Sequence, residues 1–284
     1  MIPLLDDYLL TTPDSLADAL GDLSAHPDVR PFAGGTDLMV LLEAGVLPPG
    51  RYVSLANCHE LQGIHETPDG VAIGALTTYT DIRNSPLLRR EYAMLPIAAS
   101  ETGGVATQNR GTIGGNIANA SPAADTPPAL LAYDASLELM SSSGTRRVPY
   151  AGFHRGYKKM DLAPGELIAR VILPPKRGSY RDYYRKVGTR RAQAISKVCL
   201  AASIYMDGDM VADIRIALGS VAPMVVRARR TEEAVRGRPL TPDAIAAAEQ
   251  ALAAEVVPID DIRSTALYRT RVACNLVREF LEAR

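Results

Sequence analysis

The sequence predicts an α+β protein in two units: two mixed lobes ending near residue 175, then a smaller C-terminal α+β unit from about residue 180. Three observations predict it. The 284-residue chain is long enough for two domains and a sizeable core. Short strand-like runs alternate with helical ones, the pattern of mixed layers. The composition also shifts at "LPPKRGSY", residues 173–180, where two prolines and a glycine mark a connection.

The first lobe, about residues 1–56, reads as strand, helix, strand, loop, helix, strand. In "DYLLTTPDSLADALGDL" a threonine before Pro13 caps a helix whose Leu16, Leu20 and Leu23 fall at helical spacing. "VRPFAGG" is a strand running into glycine, "DLMVLLEAG" a short helix closed by Gly45, and "RYVSLAN" a further strand. The second lobe, about residues 57–175, opens on a hairpin around Pro68, Asp69 and Gly70. Helices follow over "TDIRNSPLLRREY" and "LPIAASE", then the glycine stretch "GTIGGNIANASPAAD". A helix in "DTPPALLAYDA" is capped by Asp125 or Thr126, with Pro127 in its first turn. "ASLELMSSSGTRRVPY" and "GELIARVILP" supply strands. Beyond the connection, a hairpin turns at Asp207, Gly208 and Asp209, and three helices end the chain. The last of them carries an apolar stripe of Leu267, Val272, Leu276, Val277 and Leu281.

With 47% hydrophobic and 22% charged residues and a net charge of -1, the chain is expected to be a soluble globular protein. That balance excludes a charge-driven nucleic-acid or membrane-surface binder. No run of about 18 apolar residues is present, so no membrane span is expected. "MIPLLDDYLLTT" is broken by Asp6 and Asp7 and lacks a basic region, so no secretory signal is read and a cytoplasmic location is expected. Cys58, Cys199 and Cys274 are far apart and lack CxxC spacing, which disfavours a disulfide framework or a cluster within this chain. His59, His65 and His154 read as structural or solvated. The stretch 176–191, "KRGSYRDYYRKVGTRR", is basic with interleaved tyrosines and reads as a docking surface or the mouth of a cofactor site.

The chemistry is concentrated in two glycine runs, "PFAGGTDLMV" and "GTIGGNIANASPAAD". Glycine between a strand and a helix lets the backbone approach a ligand closely, with N–H groups facing it. The helix N-terminus adds partial positive charge, so the ligand implied is a phosphate. Gly34, Gly35 and Thr36 meet this description with Asp37 opening the helix; Gly111, Thr112, Ile113, Gly114, Gly115 and Asn116 form a second candidate cradle. Neither loop contains lysine, and neither matches the P-loop or the GxGxxG fingerprint.

"FAGGTDLMV" and "TIGGNIANASPAAD", with "GYKKMDLAPGELIARVILP" and "YRKVGTRRAQAISKV", resemble the FAD-binding subunits of the molybdenum hydroxylases. That family includes xanthine dehydrogenase, the aldehyde oxidoreductases and the carbon monoxide dehydrogenase medium chain. The resemblance implies a two-part FAD-binding domain of the oxygen-dependent flavoprotein (PCMH) type followed by a C-terminal α+β domain. It implies that Ala33, Gly34, Gly35, Thr36 and Asp37 hold the FAD pyrophosphate, with Gly111, Thr112, Gly115 and Asn116 covering it from the other side. Ser121 and Asp125 would continue that contact, Ile168 would lie near the flavin or adenine, and Lys186 would reach the cofactor. No histidine lies in the glycine loops, so the FAD is expected to be noncovalent. The resemblance further implies a small partner chain with [2Fe–2S] clusters, a large molybdopterin chain and a dimer of heterotrimers. "GYKKMDLAPGELI" looks most like the xanthine dehydrogenase type. A self-contained FAD-dependent oxidoreductase and a non-catalytic nucleotide-binding module are the alternatives.

Overall fold

The computed structural model describes residues 5–176, 178–190 and 193–283. Its first lobe contains β1 (Tyr8–Thr11), α1 (Leu16–Ala25), β2 (Arg30–Phe32), α2 (Leu38–Glu43) and β3 (Gly50–Ser54). The strands form a parallel sheet in the order β1-β3-β2. The α1 cap is Ser15 rather than the threonine before Pro13, because the Ser15 side chain accepts from the Asp18 N–H at 3.1 Å. Thr11 and its neighbours are left to the strand.

The second lobe is built on β4 (Ile64–Thr67) and β5 (Gly70–Gly74), followed by α3 (Tyr79–Asn84), α4 (Pro86–Glu91), α5 (Met94–Glu101), α6 (Val105–Gln108), α7 (Ile113–Asn119) and α8 (Pro127–Ala132). It continues through β6 (Ser136–Ser141), β7 (Gly144–Pro149), the small pair β8 (His154–Gly156) and β9 (Lys159–Met160), and β10 (Leu167–Leu173). The main sheet is antiparallel in the order β4-β5-β10-β6-β7. The single helix expected over "TDIRNSPLLRREY" is two, because Ser85 precedes Pro86 and takes an extended ψ of 116°. Steric conflict with the proline ring disfavours the helical region at that position, and Ser85 then caps α4.

The C-terminal unit has β11 (Arg181–Val187), β12 (Val198–Asp207), β13 (Met210–Gly219) and β14 (Val226–Arg227) in that sheet order, with α9 (Arg229–Val235), α10 (Pro242–Glu255) and α11 (Ala266–Glu282). The middle of the basic stretch, Arg181–Val187, is therefore an edge strand, and three cations of the stretch have partners. Lys176 pairs with Asp182 at 2.5 Å, Arg181 donates to the Phe280 carbonyl at 2.9 Å, and Lys186 pairs with Asp125 at 2.8 Å. Arg177 and Arg191 lie outside the described residues.

One apolar cluster joins the first two lobes through Leu16, Leu20, Val53, Leu61, Leu167 and Ala169. A second fills the middle lobe and reaches Ala201 and Ala217 of the C-terminal sheet and Val225 beside it, so the three larger sheets are tied together. The third packs β12 and β13 against α10 and α11. Of the expected α11 stripe, Leu276, Val277 and Leu281 are buried, but Leu267 is exposed and Arg269 is buried in its place.

Candidate functional site

The strand β2 ends at Phe32 and the chain turns through residues 33–37 before α2. Gly35 has φ +77°, a left-handed conformation that favours glycine. Gly34 is required for a different reason: a Cβ there would stand 1.8 Å from the Arg110 carbonyl oxygen. The first glycine loop therefore lies directly on the chain entering α7. Among the described residues the N–H groups of Gly34, Gly35, Thr36 and Asp37 have no hydrogen-bond partner. Backbone donors left together in this way suit an anionic ligand.

The second glycine run is built differently from the open cradle expected. Thr112 is the N-cap of α7, accepting from the Gly115 N–H at 3.1 Å. The Ile113 N–H donates to Thr77, Gly114 to Ala75 and Asn116 to Thr112, so this turn spends its donors inside the protein. Its glycines serve close packing instead. A Cβ on Gly111 would meet the Tyr79 ring at 2.7 Å, and one on Gly114 would meet the Ala75 side chain at 2.6 Å. Gly115 faces Ala33 across the junction, where an added Cβ would lie 4.0 Å from Ala33. Of the residues assigned to the second wall, Asn116 is half-buried, and its Oδ1 accepts from the Thr126 hydroxyl at 2.7 Å.

Past α7 the chain opens onto a cleft of about 980 Å³ between the middle lobe and the C-terminal unit, lined by Asn116, Asn119, Ser121, Asp125, Ser196 and Arg269 among others. Asp125 is buried, and its two oxygens accept from Lys186 Nζ and Ser196 Oγ, each at 2.8 Å. Lys186 also donates to the Glu101 carbonyl at 2.8 Å. Burial raises the Asp125 carboxyl above its ordinary range, opposed by the Lys186 ammonium. The resemblance placed each of the two at the cofactor; in the structure they are partners of each other. Ile168 is not on this cleft wall. It is a buried residue of β10, in the same apolar cluster as Ile113 and Ile117 of α7.

His154 is buried, with Nε2 2.9 Å from the Ile117 carbonyl and its ring against Tyr150 and Phe153. Burial lowers its pKa, so it supports α7 as a neutral side chain. Cys58 and Cys199 are buried. Among the described residues no cluster of three or more His, Cys, Asp or Glu is placed to hold a metal ion.

Two contributors had not been singled out in the sequence. Asn119 sits three residues after Asn116 on α7, a spacing that places both on one helix face. Its Nδ2 donates to Asp37 Oδ1 at 3.0 Å, joining α7 to the first glycine loop. Lys158, between β8 and β9, donates to the Asn119 backbone carbonyl at 2.5 Å and to its side-chain Oδ1. The lysine had no local signal, since only the fold brings that turn beside α7. The residues present fit a dinucleotide: free backbone donors at the first loop, small residues at its contact with α7, and a long cleft leading away from α7.

Residues 6–176 match the family model described as FAD binding domain in molybdopterin dehydrogenase, and residues 183–283 that of the CO dehydrogenase flavoprotein C-terminal domain. The chain is 34% identical to the glyceraldehyde dehydrogenase medium chain of Sulfolobus acidocaldarius, covering 91% of this chain and 92% of the relative. It is 30% identical to a xanthine dehydrogenase FAD-binding subunit of Escherichia coli, covering 94% and 92%. A solved carbon monoxide dehydrogenase chain from Hydrogenophaga pseudoflava superposes with a TM-score of 0.93 at 31% identity, covering 98% of this chain and 96% of that one.

Proposed function

This chain belongs to the FAD-binding subunits of the molybdenum hydroxylase family, and from that premise we propose that it is the flavin relay of such an enzyme. In this reading electrons arrive from iron–sulfur clusters on a partner chain and leave to NAD or another acceptor. The observation that carries it is the first glycine loop, with its unpartnered N–H groups set against α7 at the end of the cleft. Bound FAD would supply the ability to take electrons singly and release them as a pair.

The chain's own residues then divide the work. Gly34, Gly35, Thr36 and Asp37 would direct N–H groups at the diphosphate. Ala33, Gly111, Thr112 and Gly115 would keep the two walls in close contact. Asn116 and Ser121 would line the approach, and Asp125 with Lys186 would form a buried polar floor. Ile168 would support that floor from the apolar side.

The remaining subunits of the reading are a small chain carrying [2Fe–2S] clusters and a large molybdopterin chain, in a dimer of heterotrimers. The resemblance of "GYKKMDLAPGELI" supports a subunit of the xanthine dehydrogenase type. The test is acid precipitation of the purified chain. FAD released into the supernatant is expected; flavin kept in the pellet would overturn noncovalent binding, and FMN would overturn the diphosphate site.

A further inference from the structure

The proposed site has a charge problem. A diphosphate brings two negative charges to a loop that contains a carboxylate, Asp37, and no cation. The structure delivers one from elsewhere. Lys158 sits in a left-handed conformation, φ +56°, at the turn between β8 and β9, and reaches across to the end of α7. Its ammonium donates to both oxygens of Asn119, and the Asn119 amide donates in turn to Asp37.

The order of that chain is dictated by chemistry. Lysine has only donors and an ionised carboxylate only acceptors, so the residue between them must accept at one end and donate at the other. Asparagine does so only with Oδ1 toward Lys158 and Nδ2 toward Asp37. The relay therefore fixes the amide orientation and links Lys158 to the acidic group at the mouth of the donor loop. Lys158 and Asp37 are exposed, and the half-buried Asn119 and the neighbouring Tyr157 line the cleft. The ammonium is thus open to a ligand entering it.

We propose that Lys158, oriented by Asn119, supplies the positive charge of the FAD diphosphate site. This rests on the flavin reading above. The competing reading is that Lys158 only caps the C-terminus of α7, since a cation there also pairs with helix carbonyls.

The experiment is FAD titration of the deflavinated full chain at low and high ionic strength, followed by flavin fluorescence, with thermal unfolding of the apo-chain as the fold control. Lys158→Met should weaken FAD binding roughly tenfold at low salt, the size expected for one charge-assisted hydrogen bond. It should also flatten the dependence on salt, because screening acts on the charge that was removed. Lys158→Arg should retain most of the affinity, and Asn119→Asp should lose it by adding a second carboxylate beside Asp37. Unchanged FAD affinity in Lys158→Met overturns the proposal. So does an affinity loss that is the same at both salt concentrations, or one that follows a fall in apo-chain stability. A wild-type chain that binds no FAD overturns the flavin reading itself.

Discussion

Gly34 shows how a single residue can answer two demands at once. The sequence marked it as backbone free to approach a ligand; the structure adds that it has no room for a side chain, because the Arg110 carbonyl is already there. Gly34→Ala should therefore separate the first loop from α7 and abolish flavin retention while far-ultraviolet circular dichroism stays native. Gly115→Ala should be milder, since its nearest obstacle is the Thr112 hydroxyl at 2.9 Å. Flavin content per chain measures both, and full occupancy in Gly34→Ala would remove the close-contact argument. Lys186 and Asp125 make a second expectation at this scale. Their side chains are 5% and 9% exposed, so removing the cation leaves a buried carboxylate uncompensated. Lys186→Met should cost about 3–5 kcal/mol in denaturant unfolding, and adding Asp125→Asn should recover part of it. The sequence could name both residues through the resemblance, but not their pairing, which depends on β11 lying over the start of α8.

Among the elements, those fixed by local signals were the readable ones. The hairpin at Asp207 to Asp209, the Pro127 start of α8 and the glycine after α2 all follow from turn and cap chemistry. What local signals missed was long-range. In α11 the apolar pattern put Leu267 inside, yet the buried residue is Arg269, whose guanidinium donates to the Lys197 and Ser220 carbonyls and to Asp261. Those partners come from three separate segments, and no periodicity encodes them. Their effect is to pin the loop between α10 and α11 to the cleft wall. Burial alone would raise the Asp261 carboxyl. The Arg263 and Ser264 N–H groups and Arg269 outweigh it and hold it at about 2, below the ordinary 3.8. A folded-state value lower than the unfolded one stabilises the protein above 3.8, and that contribution is lost as pH falls from 3.8 toward 2. Thermal midpoints should therefore fall over this window more steeply in the wild type than in Asp261→Asn. Parallel slopes would mean that this carboxylate does not anchor the loop.

For the whole molecule the question is whether the chain can complete a reaction alone. Its cleft is lined by hydrogen-bonding groups and by Asp125 of a buried ion pair, while the buried His154 lies outside that lining against α7. Asp125 and Lys186 satisfy each other, so neither is free to move a proton to or from a substrate. The arrangement suits holding a cofactor between two electron-transfer partners, which asks for position and charge rather than acid–base groups. The expected consequence is kinetic. In rapid mixing, the hydroxylase substrate should bleach the flavin absorbance of the assembled complex within a turnover and leave that of the isolated, flavin-loaded chain unchanged. Chemical reduction should bleach both, showing that the flavin in the isolated chain is competent and only the electron source is missing. If the isolated chain instead oxidises a small organic substrate at the rate of the complex, the relay reading is wrong and the chain is a self-contained oxidoreductase.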